Sequence, residues 1–178
     1  MPGDALMTTV RTAQAEHGTS IQSITEKTRV FNKTEIETVG ELWEEYLSKG
    51  EASGYAFLVA LEGEVVTGYA CFGAHALTEG AYDIYWIAVD PDYQKRGIGQ
   101  ALLGQIEADV EILHGNLLIL ETSSTSPYQP ARSFYTSNGY ELEATIRDFY
   151  APDDHLVIYT KHIRRSAPLK ERSSLQAT

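Results

Sequence analysis

The sequence predicts an α/β domain: a mixed, mostly antiparallel central sheet with flanking helices and one parallel crossover in its middle. Three observations predict it. Residues 82–89, YDIYWIAV, form an apolar and aromatic run that stops at Asp90-Pro91, where proline has no N–H to give a sheet ladder. Residues 117–122, LLILET, are nearly all apolar, as in a strand buried on both faces. Between the two runs Ile98, Leu102, Ile106 and Val110 recur every four residues, which is the stripe of a helix lying on a sheet. Strand, helix and strand at this spacing make a parallel crossover.

The remaining elements follow in chain order. Residues 7–13 alternate loosely as a first strand, and 16–27 read as a weak helix. In the next helix Ile36, Val39, Leu42, Trp43, Tyr46 and Leu47 share one face, with Thr34 as the expected cap and Gly50 as the stop. Residues 55–61 and 64–72 are two strands joined across Glu62-Gly63 by a hairpin-like turn. The crossover helix runs to about Leu113, and Pro130 suits the first turn of a short helix that ends near Gly139. Residues 140–149 and 156–163 finish as a strand pair. From Arg164 onward the chain is polar and without periodicity, so 164–178 is expected to be a mobile tail behind a single domain spanning 7–163. There are no internal repeats.

The most informative segment is the junction of the central strand with the crossover helix. Gln94-Lys95-Arg96-Gly97-Ile98-Gly99 sets two glycines at a helix mouth, where four backbone N–H groups lack internal partners and the macrodipole adds positive charge. Such a junction can cradle a phosphate. The same glycines also fit a tight strand-to-helix turn that binds nothing. A Walker loop is absent, and Gln100-Ala101 leaves the third glycine of a dinucleotide fingerprint unfilled. What remains resembles the Q/R-x-x-G-x-G/A signature of the GNAT acetyltransferases, the superfamily of acyl-CoA-dependent N-acyltransferases. A second block strengthens the resemblance: Phe134-Tyr135 stands for a Leu/Phe-Tyr pair, and Gly139-Tyr140 for the Gly-Phe after the short helix. With the order of elements, the resemblance covers roughly residues 7–163. One departure is Tyr128, seven residues before Tyr135, where many members carry an asparagine that bonds the cofactor arm.

The resemblance implies that the two central strands splay apart and that the pantetheine arm of acetyl-CoA enters between them. Backbone groups of Ile87, Ala88 and Val89 would pair with the arm, and Tyr128 would stand beside it. After Gln94, the amides of Arg96, Gly97, Ile98, Gly99 and Gln100 would hold the pyrophosphate, with charge from Lys95 and Arg96. Tyr135 matches the tyrosine whose hydroxyl lies near the cofactor sulfur, and is the expected proton donor to the departing thiolate. Glu121 ends an apolar strand beside the splay, where burial would raise its pKa and make it the amine's base. Asp83 and Tyr85 rival it, and water alone can take the proton. The function implied is transfer of acetyl from acetyl-CoA to a primary amine by direct attack in a ternary complex. The alternative is a non-catalytic module that binds or senses acyl-CoA.

Composition sets further bounds. The 178 residues carry 14 Lys plus Arg against 25 Asp plus Glu, a formal net charge of -11, which disfavours nucleic acid and anionic membrane as partners. A cationic acceptor, small molecule or peptide, suits that field, and a homodimer stays open. Cys71 is the single cysteine, so an intrachain disulfide is excluded and a reducing cytoplasm fits; on an apolar strand it reads as core packing. His17, His75, His114, His155 and His162 stand singly without ligand spacing, so no metal is expected. His75 reads as a solvated loop residue. Asp148, Tyr150, Asp153 and Asp154 form an acidic and aromatic group that either attracts a cation or shapes a loop. The N-terminus has neither a basic segment nor a long apolar run, so no signal peptide or anchor is expected, and Met1 and Met7 are both candidate starts.

Overall fold

A computed structural model describes residues 7–163; the expected tail lies outside the described residues. Seven strands form one sheet in the order β1-β2-β3-β4-β5-β7-β6, and four α-helices flank it. The strands are β1 (Thr8–Thr12), β2 (Ala56–Glu62), β3 (Val65–Ala74), β4 (Ala81–Val89), β5 (Leu117–Ser123), β6 (Glu141–Ala151) and β7 (Asp154–His162). The helices are α1 (Gly18–Lys27), α2 (Lys33–Lys49), α3 (Ile98–Ile112) and α4 (Gln129–Ser137). Every neighbouring pair of strands is antiparallel except β4 and β5, which run parallel as the crossover requires.

The two faces of the sheet carry separate cores because strand side chains alternate. Leu58 and Ala60 of β2 and Ala70 and Phe72 of β3 join Ile98, Leu102, Ile106 and Val110 of α3 on one face. Phe57, Val59, Tyr69 and Cys71 join Ile21 and Ile24 of α1 and Val39 and Trp43 of α2 on the other. The predicted stripe of α3 is at most 1 % exposed, and each such side chain contributes about 1.5–3 kcal/mol of burial. Cys71 is buried and its thiol is held above the ordinary range by burial, consistent with packing.

Two details differ from the sequence reading. Asn32, not Thr34, caps α2: its side chain accepts from the Glu35 N–H at 3.0 Å, and Glu35 accepts from the Asn32 N–H at 2.7 Å. Thr34 is already helical. The segment expected as one weak helix opens as a 3-10 turn, Ala15–His17, before α1. No helix among the described residues is long and apolar enough to cross a membrane.

Candidate active site

The site begins where β4 and β5 part. Their pairing covers only Ala81↔Leu117 to Ile84↔Leu120. Beyond it β4 stays paired with β3 as far as Val89, while β5 stays paired with β7 as far as Ser123. A bulge in β4 between Ile84 and Trp86 leaves Tyr85 without a register partner and turns the strand at the point of parting. Ile87, Ala88 and Val89 therefore present backbone groups with no strand partner on the side facing β5.

The loop after β4 is a folded unit. Asp90 closes a 3-10 turn, Pro91–Tyr93, by accepting the Asp92 N–H at 2.9 Å, and the Gln94 amide nitrogen lies 3.5 Å from the Val89 carbonyl. Lys95 and Gly97 both have left-handed backbones, φ 63° and 80°. Gly97 then starts α3 with no side-chain cap and no acidic residue in the first turn. The first amides of α3, at Ile98, Gly99 and Gln100, are thus left with outward-facing donors. Arg96 is exposed but engaged by its own chain: its guanidinium lies 5.0 Å from the Tyr93 ring centroid, donates to the Asp92 carbonyl at 3.2 Å and pairs with Glu62 at 3.4 Å.

The two glycines separate in role. A Cβ at Gly97 would meet nothing within 4 Å, so glycine is needed there for conformation. A Cβ at Gly99 would lie 2.9 Å from the Phe134 ring. Gly99 lets α3 and α4 close on each other, a packing role beyond the turn and the anion approach that the sequence suggests.

That contact leads to Tyr135. Its ring lies among Phe134, Tyr140 and Tyr159 at centroid distances of 5.8, 6.4 and 5.9 Å, and Tyr159 pairs with Leu120, the last β5 residue before the parting. The side chain is 7 % exposed, and burial, followed by the neighbouring Tyr159, pushes its phenol up to about 12. It is therefore protonated across the physiological range. Among the described residues no hydrogen bond engages its hydroxyl.

Tyr128 points elsewhere than expected. Its phenol donates to both Glu35 oxygens at 3.0 and 3.1 Å and approaches the Val30 carbonyl at 3.4 Å, bridging the start of α4 to the elbow between α1 and α2. The hydroxyl is spent on that bridge. Glu121 is exposed, because Leu118, Leu120 and Thr122 take the buried face of β5 and leave Glu121 on the opposite one. There it faces Tyr150, whose phenol is raised first by burial and then by Glu121, Asp154 and Glu35. The rivals are also engaged. Asp83 accepts from or pairs with His75 Nδ1 at 2.6 Å, and Tyr85 is pushed up to about 12 by burial and then by Asp83.

Glu35 is not singled out by the sequence reading, although the Asn32-x-x-Glu35 pattern marks a helix start that carries an acid, and Tyr150 is named there only with the last turn. Asp148 and Asp153 shape the last hairpin, with left-handed backbones and an Asp153 N–H to Asp148 bond of 2.8 Å, while Asp154 accepts from Ser123 at 2.6 Å. No group of three or more metal-ligating side chains occurs among the described residues.

Known proteins match this arrangement. The model of the acetyltransferase (GNAT) domain matches residues 53–142, which hold the splayed strands, the loop and Tyr135. A GNAT-family protein from Desulfovibrio desulfuricans, solved by crystallography, shares 37% identity and a TM-score of 0.86, covering 89% of this chain and 100% of its own. YncA from Salmonella typhimurium, solved with its cofactor acetyl-CoA, is 19% identical with a TM-score of 0.68, covering 90% of this chain and 96% of its own, a likeness of fold. Among curated proteins, the ribosomal protein bS18-alanine N-acetyltransferase of Escherichia coli strain K12 is 39% identical over 82 residues, 44% of this chain. The chain spans about half the length of the curated relatives it matches, 53%. With a matching domain model over half its length and a 37% identical relative covered end to end, the chain belongs to the GNAT acetyltransferases.

Proposed function

We propose that this chain is an acyltransferase that moves the acetyl group of acetyl-CoA to a primary amine by direct attack in a ternary complex. The observation that carries the reading is the Tyr135 phenol: buried, held protonated by that burial, and packed against Tyr159, the partner of the last β5 residue before the parting. The residues present fit acetyl-CoA. The β5-facing backbone of Ile87–Val89 is free to pair with an extended arm, and the amides from Arg96 to Gln100 lie at an open helix start suited to a pyrophosphate. Lys95 adds charge there, whereas Arg96 acts mainly by shaping the loop. Acetyl-CoA supplies the activated thioester carbonyl.

The chain's own groups would then manage two protons. Tyr135 donates one to the leaving sulfur; burial holds its phenol protonated well above neutral pH, where amines begin to lose their protons. Glu121, solvated and on the face opposite α3, takes the other from the amine, through a water where the distance requires it. The acidic and phenolic surround of Glu121, Tyr150 and Asp154 suits an acceptor that arrives as an ammonium ion. The curated relative named above acts on an alanine of a ribosomal protein, so a peptide N-terminus belongs among the acceptors to try beside small amines. A lone, buried Cys71 suits a reducing compartment, and we assign the protein to the cytoplasm.

The test is a screen of free-thiol release from acetyl-CoA over polyamines, amino acids, aminoglycosides and N-terminal peptides, repeated with Tyr135→Phe. The variant keeps the ring and loses the proton. On an acceptor that the screen identifies, its kcat should fall by on the order of a hundredfold, with acetyl-CoA affinity within about twofold. Equal turnover by the two proteins would remove Tyr135 from the mechanism.

A further inference from the structure

We infer that Lys27 is a positioning residue for the cofactor loop, acting from the last turn of α1 through Asp90 and Asp92; the inference rests on the reading of that loop as the pyrophosphate site. The Lys27 ammonium lies 2.9 Å from each oxygen of Asp90 and 2.7 Å from Asp92 Oδ2. These aspartates bracket Pro91 at the foot of the loop. Asp90 is a nearly buried carboxylate, its side chain 12% exposed, whereas that of Asp92 is 72% exposed. Its backbone is fixed as well: the Asp90 N–H bonds the Thr67 carbonyl at 2.9 Å, and its own carbonyl takes the Tyr93 N–H at 2.8 Å.

Two consequences follow from that geometry. A buried carboxylate stripped of its cation is strongly unfavourable, so without Lys27 the Asp90 turn must open or take up a proton. Because Tyr93 carries Arg96, and Arg96 ties the loop back to Glu62, an opened turn displaces the backbone that runs through Lys95 and Gly97 into the start of α3. The second consequence is electrostatic. Around the loop Lys27, Lys95 and Arg96 stand against Asp90, Asp92 and Glu62. Removing Lys27 leaves carboxylates in excess beside a site meant for an anion. The ammonium therefore serves the ligand without touching it: it holds the turn and cancels charge that would repel a pyrophosphate.

Calorimetric titration with acetyl-CoA, alongside thermal melts, tests this on the whole chain without need of an acceptor. Lys27→Met should weaken acetyl-CoA by about tenfold or more. Lys27→Arg should restore affinity to within about threefold, and Asp92→Asn placed in the Lys27→Met background should recover part of the loss by removing the unbalanced charge. A merely structural lysine would lower the melting temperature while the folded protein kept its affinity, and the Asp92 change would recover nothing. Should Lys27→Met not fold, Lys27→Gln keeps part of the stem and a neutral donor toward Asp90, and a severalfold loss of affinity is expected from it. Unchanged affinity in whichever folded variant is measured overturns the inference. Wild type that fails to bind acetyl-CoA overturns the cofactor reading, and this inference with it.

Discussion

The starts of α2 and α3 are made of the same backbone and treated in opposite ways. At α2, Asn32 and Glu35 answer each other's N–H groups, an acid sits in the first turn, and Tyr128 adds a further bond to that acid. At α3 the cap is a left-handed glycine, no side chain bonds the first amides and no acid is nearby in the turn. The helices α1 and α4 are a third case, each continuing directly out of a 3-10 turn. The difference teaches how an anion site is built at little cost to the fold. Orphan donors are closed by side chains where the helix is only structural, and are left outward where a phosphate is to take the place of the cap.

The largest effect should come from breaking the open start. Gly97 sits at φ 80°, where an ordinary L-residue costs about 1–2 kcal/mol and a β-branched one more. Nothing lies within 4 Å of a Cβ built there, so the penalty is conformational and not a collision. Gly97→Val should weaken acetyl-CoA by about tenfold or more, whereas Gly97→Asn, which tolerates this backbone, should cost only about threefold. Calorimetry on both variants decides it; two equally harmless substitutions would mean that the shape of this start does not matter to the ligand.

The closed start should answer in the other currency. Asn32→Ala removes the acceptor for the Glu35 N–H and should lower stability by about 1 kcal/mol, a fall of roughly 2–4 °C in Tm for a chain of this size. Acetyl-CoA affinity should be unchanged. A loss of affinity without a loss of stability would show that the α2 start reaches the cofactor and that the contrast between the two helices is misdrawn.

What the sequence shows of this contrast depends on how local each cause is. The stripe Ile98, Leu102, Ile106 and Val110 is legible because a period of four needs no knowledge of the partner, and all four side chains are buried. Gly97 is legible for the same reason. Its neighbour Gly99 is not, since the ring that demands a glycine there belongs to Phe134, brought in by the packing of α4 on α3. Tyr128 fails likewise: the partner of its phenol is Glu35, which lies far away in the chain. For Glu121 the signal is present in the sequence. Taken as a strand buried on both faces, 117–122 gives it a buried site, yet the alternation of Leu118, Leu120 and Thr122 already puts it on the other face. The parting of β4 from β5 is a matter of pairing between strands, so it enters from the family resemblance and not from any residue pattern.

The smallest effect, and the sharpest separation of the two helix starts, comes from giving α3 the acid that α2 has. Gln100 is exposed and is the third helical residue after Gly97, the position that Glu35 holds after Asn32. A glutamate there would favour the helix by about 0.3–1 kcal/mol through the macrodipole, and can reach back to the Gly97 N–H as Glu35 reaches Asn32. The same carboxylate would occupy donors meant for the pyrophosphate and repel its charge. Gln100→Glu should therefore raise stability slightly while weakening acetyl-CoA severalfold, and added salt should shrink both effects together. Opposite signs on the melt and the titration are the mark of a helix start held open for a ligand. If stability and affinity rise together, or affinity does not move, the anion sits elsewhere and the uncapped start of α3 is only a turn.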